Sequence, residues 1–296
     1  MSDYFQSETD CRFTTAGDYR WRKMKDRDIP SIETMLCDME ENCVVACGRF
    51  LSREPSRDHI WILSGKKGDI SALMINSKNT LIPILFGNKE ITYPRFLKGF
   101  MRRKNIHSVQ GLKEDVLVLE FAMEDMGKII ADIYDYYLMS LDINPDLKGY
   151  SSGPSNLTLR VPQMIDLDEI AALQAAYEIE EVLPKGSVFS PAASRVNIAN
   201  IIYGGQILAA EISGRLVGKI NISAVSFTRY QVGGVYVHPD FRGLGIARRM
   251  ASEFIGSLIA QGRGVSLFVK KSNLAARRLY SGLGFNFKGD YRITYY

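Results

Sequence analysis

Val235-Tyr-Val-His-Pro-Asp-Phe-Arg-Gly-Leu-Gly-Ile-Ala-Arg-Arg249 joins a short apolar run, a Pro-Asp turn and a glycine-bearing loop that opens a helical pattern. Gly243 and Gly245 leave no side chain between the backbone N–H groups and whatever lies above them. A helix start carries unpaired N–H donors and roughly half a positive charge, so it cradles an anion. Arg242, Arg248 and Arg249 add positive charge around the loop. The stretch predicts strand, turn and helix, with a phosphorylated ligand at the junction.

Two common phosphate binders fail on the residues. A P-loop requires Lys-Ser or Lys-Thr after its glycines, and none follows here. A dinucleotide fingerprint requires a third glycine where Arg248 stands, and an acidic end to the next strand, which here ends Lys270-Lys271. What remains is R-x-x-G-x-A, from Arg242 through Gly245 to Ala247. A second pattern follows in Leu267-Phe-Val-Lys-Lys-Ser-Asn273-Leu-Ala-Ala276-Arg-Arg-Leu-Tyr280-Ser-Gly-Leu-Gly284-Phe285, namely N-x-x-A-x-x-L-Y-x-x-x-G-F after a strand. The two motifs, in this order, resemble those of the GNAT superfamily of acetyl-CoA-dependent N-acetyltransferases.

Composition frames that resemblance. The 296 residues suit two domains, and 46% hydrophobic with 24% charged residues is an ordinary globular balance. No run of about 18 apolar residues is present, so no membrane span is expected. The polar, acidic start Met-Ser-Asp-Tyr-Phe lacks the regions of a signal peptide, and a cytoplasmic protein is expected. A net charge of +4 is too mild to call for nucleic acid. The basic residues around the two motifs instead suit a polyphosphate ligand. Cys11, Cys37, Cys43 and Cys47 all fall in the first fifty residues and read as reduced, mostly buried thiols rather than a metal site.

In chain order, Trp21–Arg49 reads as helical, Ile60–Leu63 and Ile70–Ile75 as a hairpin, Leu81–Phe86 as a strand and Tyr93–Arg103 as a helix. Gly111–Lys128 mixes strand formers with a helical period, and Ile129–Leu141 reads as a strand. Turn formers across 142–156 place a linker, which divides the chain into 1–145, a linker at 146–155 and 156–296. Beyond it come a strand (Leu157–Val161), a helix capped by Asp166 or Asp168, a helix opened by Pro191, a hairpin about Ser213-Gly214 and the strand Arg229–Val237. A helix, a strand, a helix and one or two closing strands complete the half. This is the GNAT order, a mixed, mostly antiparallel α/β sheet flanked by helices. The first half loosely repeats it without either motif, which resembles two-domain bacterial members with a degenerate N-terminal GNAT-like half.

The resemblance implies acetyl-CoA as co-substrate and no metal. It implies that backbone groups of Val235, Tyr236 and Val237 hold the pantetheine arm and acetyl carbonyl, with Gly233-Gly234 forming a bulge that frees them. The pyrophosphate falls on Gly243, Leu244, Gly245, Ile246, Ala247 and Arg248, beside Arg242, and Asn273 and Ala276 line the pantetheine. Tyr280 matches the hydroxyl that protonates the departing thiolate. Many relatives carry a glutamate on the central strand, but Arg229–Val237 has no carboxylate and Gln231 is its nearest polar side chain. Glu180 and Glu181, at a helix end on the acceptor side, are the candidates for binding an ammonium or relaying its proton. The expected acceptor is a primary amine on a small molecule or protein. A non-catalytic acyl-CoA sensor and an acyltransferase using a longer acyl chain are the alternatives.

Overall fold

The computed structural model describes residues 19–54, 58–86, 97–98, 101–102, 105–143 and 153–296. Cys11, most of the expected helix at 93–103 and most of the expected linker lie outside them. The described chain opens on a strand, β1 (Tyr19–Lys23), where the apolar spacing from Trp21 suggests helix. β1 pairs antiparallel with β2 (Asp58–Gly65), and Arg22 grips Asp28 with two bonds of 2.6 and 2.8 Å. Helix α1 (Ile29–Asp38) therefore begins only after that pair, with Pro30 in its first turn, and α2 (Val44–Ser52) follows. β2, β3 (Ile70–Ser77) and β4 (Thr80–Leu85) form an antiparallel meander. The stretch 111–128 divides between β5 (Ser108–Leu112) and α3 (Lys113–Glu124), and burial of Val116, Leu119 and Met123 shows the helical period prevailing over strand propensity. β6 (Asp132–Leu141) closes the half.

The second half repeats that order. It runs β7 (Leu157–Arg160), α4 (Leu167–Tyr177), one wide π turn (Glu178–Val182), α5 (Pro191–Tyr203), β8 (Ile207–Ile212), β9 (Arg215–Val225) and β10 (Arg229–Val237). Then come α6 (Ile246–Ile259), β11 (Gly264–Lys270), α7 (Leu274–Gly282) and one closing strand, β12 (Asn286–Tyr295). Asp166 occupies the α4 cap position, but its carboxylate binds Arg160 and the Gln163 N–H rather than the helix.

The strands form one sheet in the order β1-β2-β3-β4-β5-β12-β6-β11-β10-β9-β8-β7. The last strands of the two halves are exchanged: β6 pairs with β11, and β12 crosses back to pair with β5. A partly buried ion cluster fastens the exchange. Arg292 on β12 binds Asp135 on β6 at 2.8 Å and Glu120 on α3 at 3.1 Å, and Lys113 reaches Asp135 at 3.1 Å. Glu40, between α1 and α2, takes bonds from the Thr228 N–H (2.7 Å) and from the hydroxyls of Ser226 and Thr228, pinning the β9–β10 turn. Apolar side chains of α6 and α7 pack on one face of the second half around Met250, Ile255 and Leu267. Those of α4 and α5 cover the other around Ile170, Ile198 and Tyr236.

Candidate active site

β10 and β11 run parallel and pair only from Arg229–Gly264 to Val232–Leu267. β11 continues alongside β6 to Lys270, while β10 goes on to Val237 without it. A wedge opens between two strands of one sheet, and Val235, Tyr236 and Val237 lie along its β10 side. The cause is local. Against β9, Gly233 pairs with Asn221 and Tyr236 with Lys219, so one extra residue is accommodated at Gly234-Val235. This is the bulge expected from the glycine pair. Gly234 has φ +61°, and a Cβ there would collide with Asn221 Oδ1 and lie 2.7 Å from Lys219 Nζ.

β10 ends at a short turn (Pro239–Phe241) and reaches α6 through two left-handed glycines, Gly243 at φ +80° and Gly245 at φ +79°. Gly245 is the helix cap and no side chain caps α6, so its first N–H groups have no capping acceptor. A Cβ built on Gly243 meets nothing within 4 Å, as an open anion cradle requires. The loop's geometry thus fits a polyphosphate held by the backbone of Gly243–Arg248.

Across the wedge, Asn273 caps α7 by accepting the Ala276 N–H at 3.0 Å. Two turns later Tyr280 is 5% exposed and packs edge-on against Phe285. Burial, then the nearby Tyr177 and the Glu181 carboxylate, push its phenol well above the ordinary range, so it stays protonated at neutral pH.

The two glutamates separate. Arg242 holds Glu180 through two bonds of 2.8 and 2.9 Å and gives its Nε to the Val237 carbonyl at 2.9 Å. The guanidinium keeps the Glu180 carboxyl below its ordinary range. Glu181 faces the other way, 3.3 Å from Asn273 Nδ2 and 3.5 Å from Lys270 Nζ. The structure thus joins Glu181, Asn273 and Tyr280 in one neighbourhood and commits Glu180 to Arg242. Gln231 is buried and its Oε1 makes no hydrogen bond. His238 is half-buried against Phe241.

Three groups in this neighbourhood carried no motif. Tyr177, at the end of α4, places its ring 4.8 Å from the Lys219 ammonium, and burial raises its phenol above the ordinary range. Lys219 on β9 is wholly buried. Tyr136 comes from β6, in the first half, and its ring lies 6.5 Å from Phe268. A lysine inside the apolar run Leu216-Val-Gly-Lys-Ile-Asn-Ile222 was a readable signal, because lysine is rarely buried without a reason. The placement of Tyr136 depends on the strand exchange and had no local signal.

A family model for the acetyltransferase (GNAT) family matches residues 173–285. Residues 173–285 are a GNAT-family domain. This GNAT domain is similar to N-alpha-acetyltransferase RimI of Mycobacterium tuberculosis, at 37% identity over 91 residues, covering 30% of this chain and 56% of that protein. The match therefore spans only about half the length of that relative. Solved structures share the fold over nearly the whole chain. A GCN5-related N-acetyltransferase from Sphaerobacter thermophilus aligns with TM-score 0.61 and 17% identity, covering 93% of this chain and 94% of its own. A tandem GNAT protein from the clavulanic acid biosynthesis pathway aligns with TM-score 0.60 and 12% identity, covering 94% and 98%. A Drosophila protein aligns with TM-score 0.68 and 13% identity, covering 95% and 99%. At these identities the structural likeness speaks for the fold alone. Among the described residues, no helix is long and apolar enough to cross a membrane.

Proposed function

We propose that this chain is an N-acetyltransferase that moves an acetyl group from acetyl-CoA to a primary amine at the wedge between β10 and β11. The observation that carries the reading is the continuity of three features. The opened strand pair leads into the glycine-lined start of α6, and Tyr280 stands across it. In this reading the backbone of Val235–Val237 holds the pantetheine arm and acyl carbonyl, and Gly243–Arg248 hold the pyrophosphate. Ala276 and Asn273 line the opposite wall. The division at 146–155 belongs to the same proposal, with the exchanged strands β6 and β12 crossing it.

The co-substrate supplies an activated acetyl thioester, and the protein's residues manage protons and orientation. An alkylammonium with a pKa near ~10 must become a neutral amine before its nitrogen can attack. In this reading Glu181 draws the ammonium in and passes its proton to water, since its contacts to Asn273 and Lys270 are longer than the two bonds by which Arg242 holds Glu180. A C–N bond forms at the acyl carbon, the C–S bond breaks, and the sulfur takes the proton held by the Tyr280 hydroxyl. The phenol keeps its proton at neutral pH until charge develops on the sulfur beside it. A free thiolate is the weaker base, with a thiol near ~8.5 against a phenol near ~10, so the transfer needs that charge confined to the same dry site. The phenolate regains a proton from the water that took the ammonium's.

Small amines and protein amines are the candidate acceptors, and the name of the relative, an N-alpha-acetyltransferase, puts peptide N-termini among them. Tyr280→Phe tests the mechanism: turnover should fall about 10²-fold with acetyl-CoA affinity nearly intact. Unchanged turnover removes Tyr280 from the reaction.

A further inference from the structure

Lys219 sits at the centre of the second half's sheet with 0% of its surface exposed. Its Nζ donates to the Gly234 carbonyl at 2.7 Å and to Asn221 Oδ1 at 3.1 Å, and lies 4.8 Å from the Tyr177 ring centre. Among the described residues no carboxylate forms an ion pair with it. Glu178 is the charge that acts on it, from the turn after α4. Burial pulls the ammonium down to about 7, with Glu178 opposing that shift. A methionine would fill the same space without a buried amine, so packing alone gives no reason for a lysine here.

The target of its shorter bond does give one. The Gly234 carbonyl and the Val235 N–H belong to a single planar peptide unit. Withdrawing electron density at the carbonyl oxygen makes the N–H of the same unit a stronger donor, because linked hydrogen bonds polarise one another. That unit stands in the bulge, between the paired positions Gly233–Asn221 and Tyr236–Lys219, and past the last β11 partner of β10 at Val232. The Tyr177 ring closes the other side of the ammonium at 4.8 Å. Lys219 thus holds Gly234 by its carbonyl, one peptide unit before the part of β10 that lines the wedge.

We propose that Lys219 is a positioning residue that fixes the Gly234–Val235 peptide and, through its carbonyl, strengthens the Val235 N–H as donor to the acyl carbonyl of the bound thioester. The inference rests on the reading that Val235 meets that carbonyl. It adds an electrostatic role for a side chain that never touches the co-substrate.

The test uses the full chain with acetyl-CoA labelled with ¹³C at the thioester carbonyl, and isotope-edited infrared difference spectra of the bound complex. Calorimetry measures affinity separately. Lys219→Met should bind acetyl-CoA within about threefold of wild type, with the carbonyl stretch moved to higher frequency, since a weaker donor polarises the carbonyl less. Lys219→Gln, which keeps an N–H donor without the charge, should fall between the two. A carbonyl frequency identical in all three proteins, with binding retained, overturns the proposal. Absence of acetyl-CoA binding by wild type would instead overturn the reading beneath it, so the two failures are distinguishable. If Lys219→Met loses its fold, Lys219→Gln alone decides the matter by the same shift.

Discussion

Gly234→Ala places a methyl group where the structure leaves no room for one. Two costs add. A residue with a Cβ held at φ +61° pays about 1–2 kcal/mol for the left-handed conformation. The new Cβ also displaces Asn221 and the Lys219 ammonium, 2.7 Å away, and loosening a buried, charge-assisted bond costs about 1–3 kcal/mol. The total, about 2–5 kcal/mol, is a large share of the ~5–15 kcal/mol that holds a typical domain together. Urea unfolding of wild type and Gly234→Ala measures the loss directly. Repeating the pair in an Asn221→Ala background removes the nearest obstacle, so there the loss should shrink toward the backbone share of about 1–2 kcal/mol. A loss below about 0.5 kcal/mol, or the same loss in both backgrounds, would refute the argument that this bulge is gripped by Asn221 and Lys219.

Lys219→Met should be more stable than wild type, with a gap that depends on pH. The folded lysine titrates at about 7 and the unfolded one near 10.5, so between those values only the unfolded chain holds the proton. Wild-type stability therefore gains about 1.4 kcal/mol per pH unit from this group over that window, and below pH 7 the whole burial penalty is present. Melting or urea midpoints at pH 6.5 and 9 should show the gap between Met and Lys narrowing at the higher pH. Asp135→Asn should cost about 1–3 kcal/mol in urea unfolding, because Arg292 and Lys113 lose a shared carboxylate at the strand exchange. Arg292, then Lys113, hold that carboxyl at about 2, so its contribution is complete above the unfolded value near 3.8 and disappears as pH falls through about 2. A midpoint difference between Asp135→Asn and wild type that persists unchanged at pH 2 would contradict that assignment. Tyr280→Phe, with its expected 10²-fold loss of turnover at about constant affinity, completes the set.

The legible parts of this chain were those written locally. Gly243 and Gly245 announced a loop opening a helix and Gly233-Gly234 a bulge, and each stands where the spacing put it. Pro191 and Ser213-Gly214 marked a helix start and a hairpin for the same reason. The readings that departed from the structure depended on distant partners. Trp21 falls in a strand because β2 lies beside it, and Arg22 reaches Asp28 before the helix can start. The exchange of β6 and β12 could not be read at all, since each strand has the same alternating pattern wherever it pairs. At the site, the adjacent glutamates looked equivalent, but the wide π turn carries them apart, one to Arg242 and the other to Asn273. Lys219 was missed because it lies in no motif, and its role is in what it holds, the Gly234 carbonyl on the neighbouring strand.

The central claim is that acyl-CoA bound at the start of α6 acetylates an amine. Release of CoA thiol from acetyl-CoA, followed across a panel of amino acids, polyamines, aminoglycosides and peptides with free N-termini, tests it most directly, with Gly245→Glu run in parallel. The account predicts amine-dependent release by wild type and none by Gly245→Glu, whose carboxylate would stand against the pyrophosphate. Wild-type activity in Gly245→Glu, or no amine-dependent release by wild type that binds acetyl-CoA tightly, would contradict it, and the second result would favour the acyl-CoA sensor.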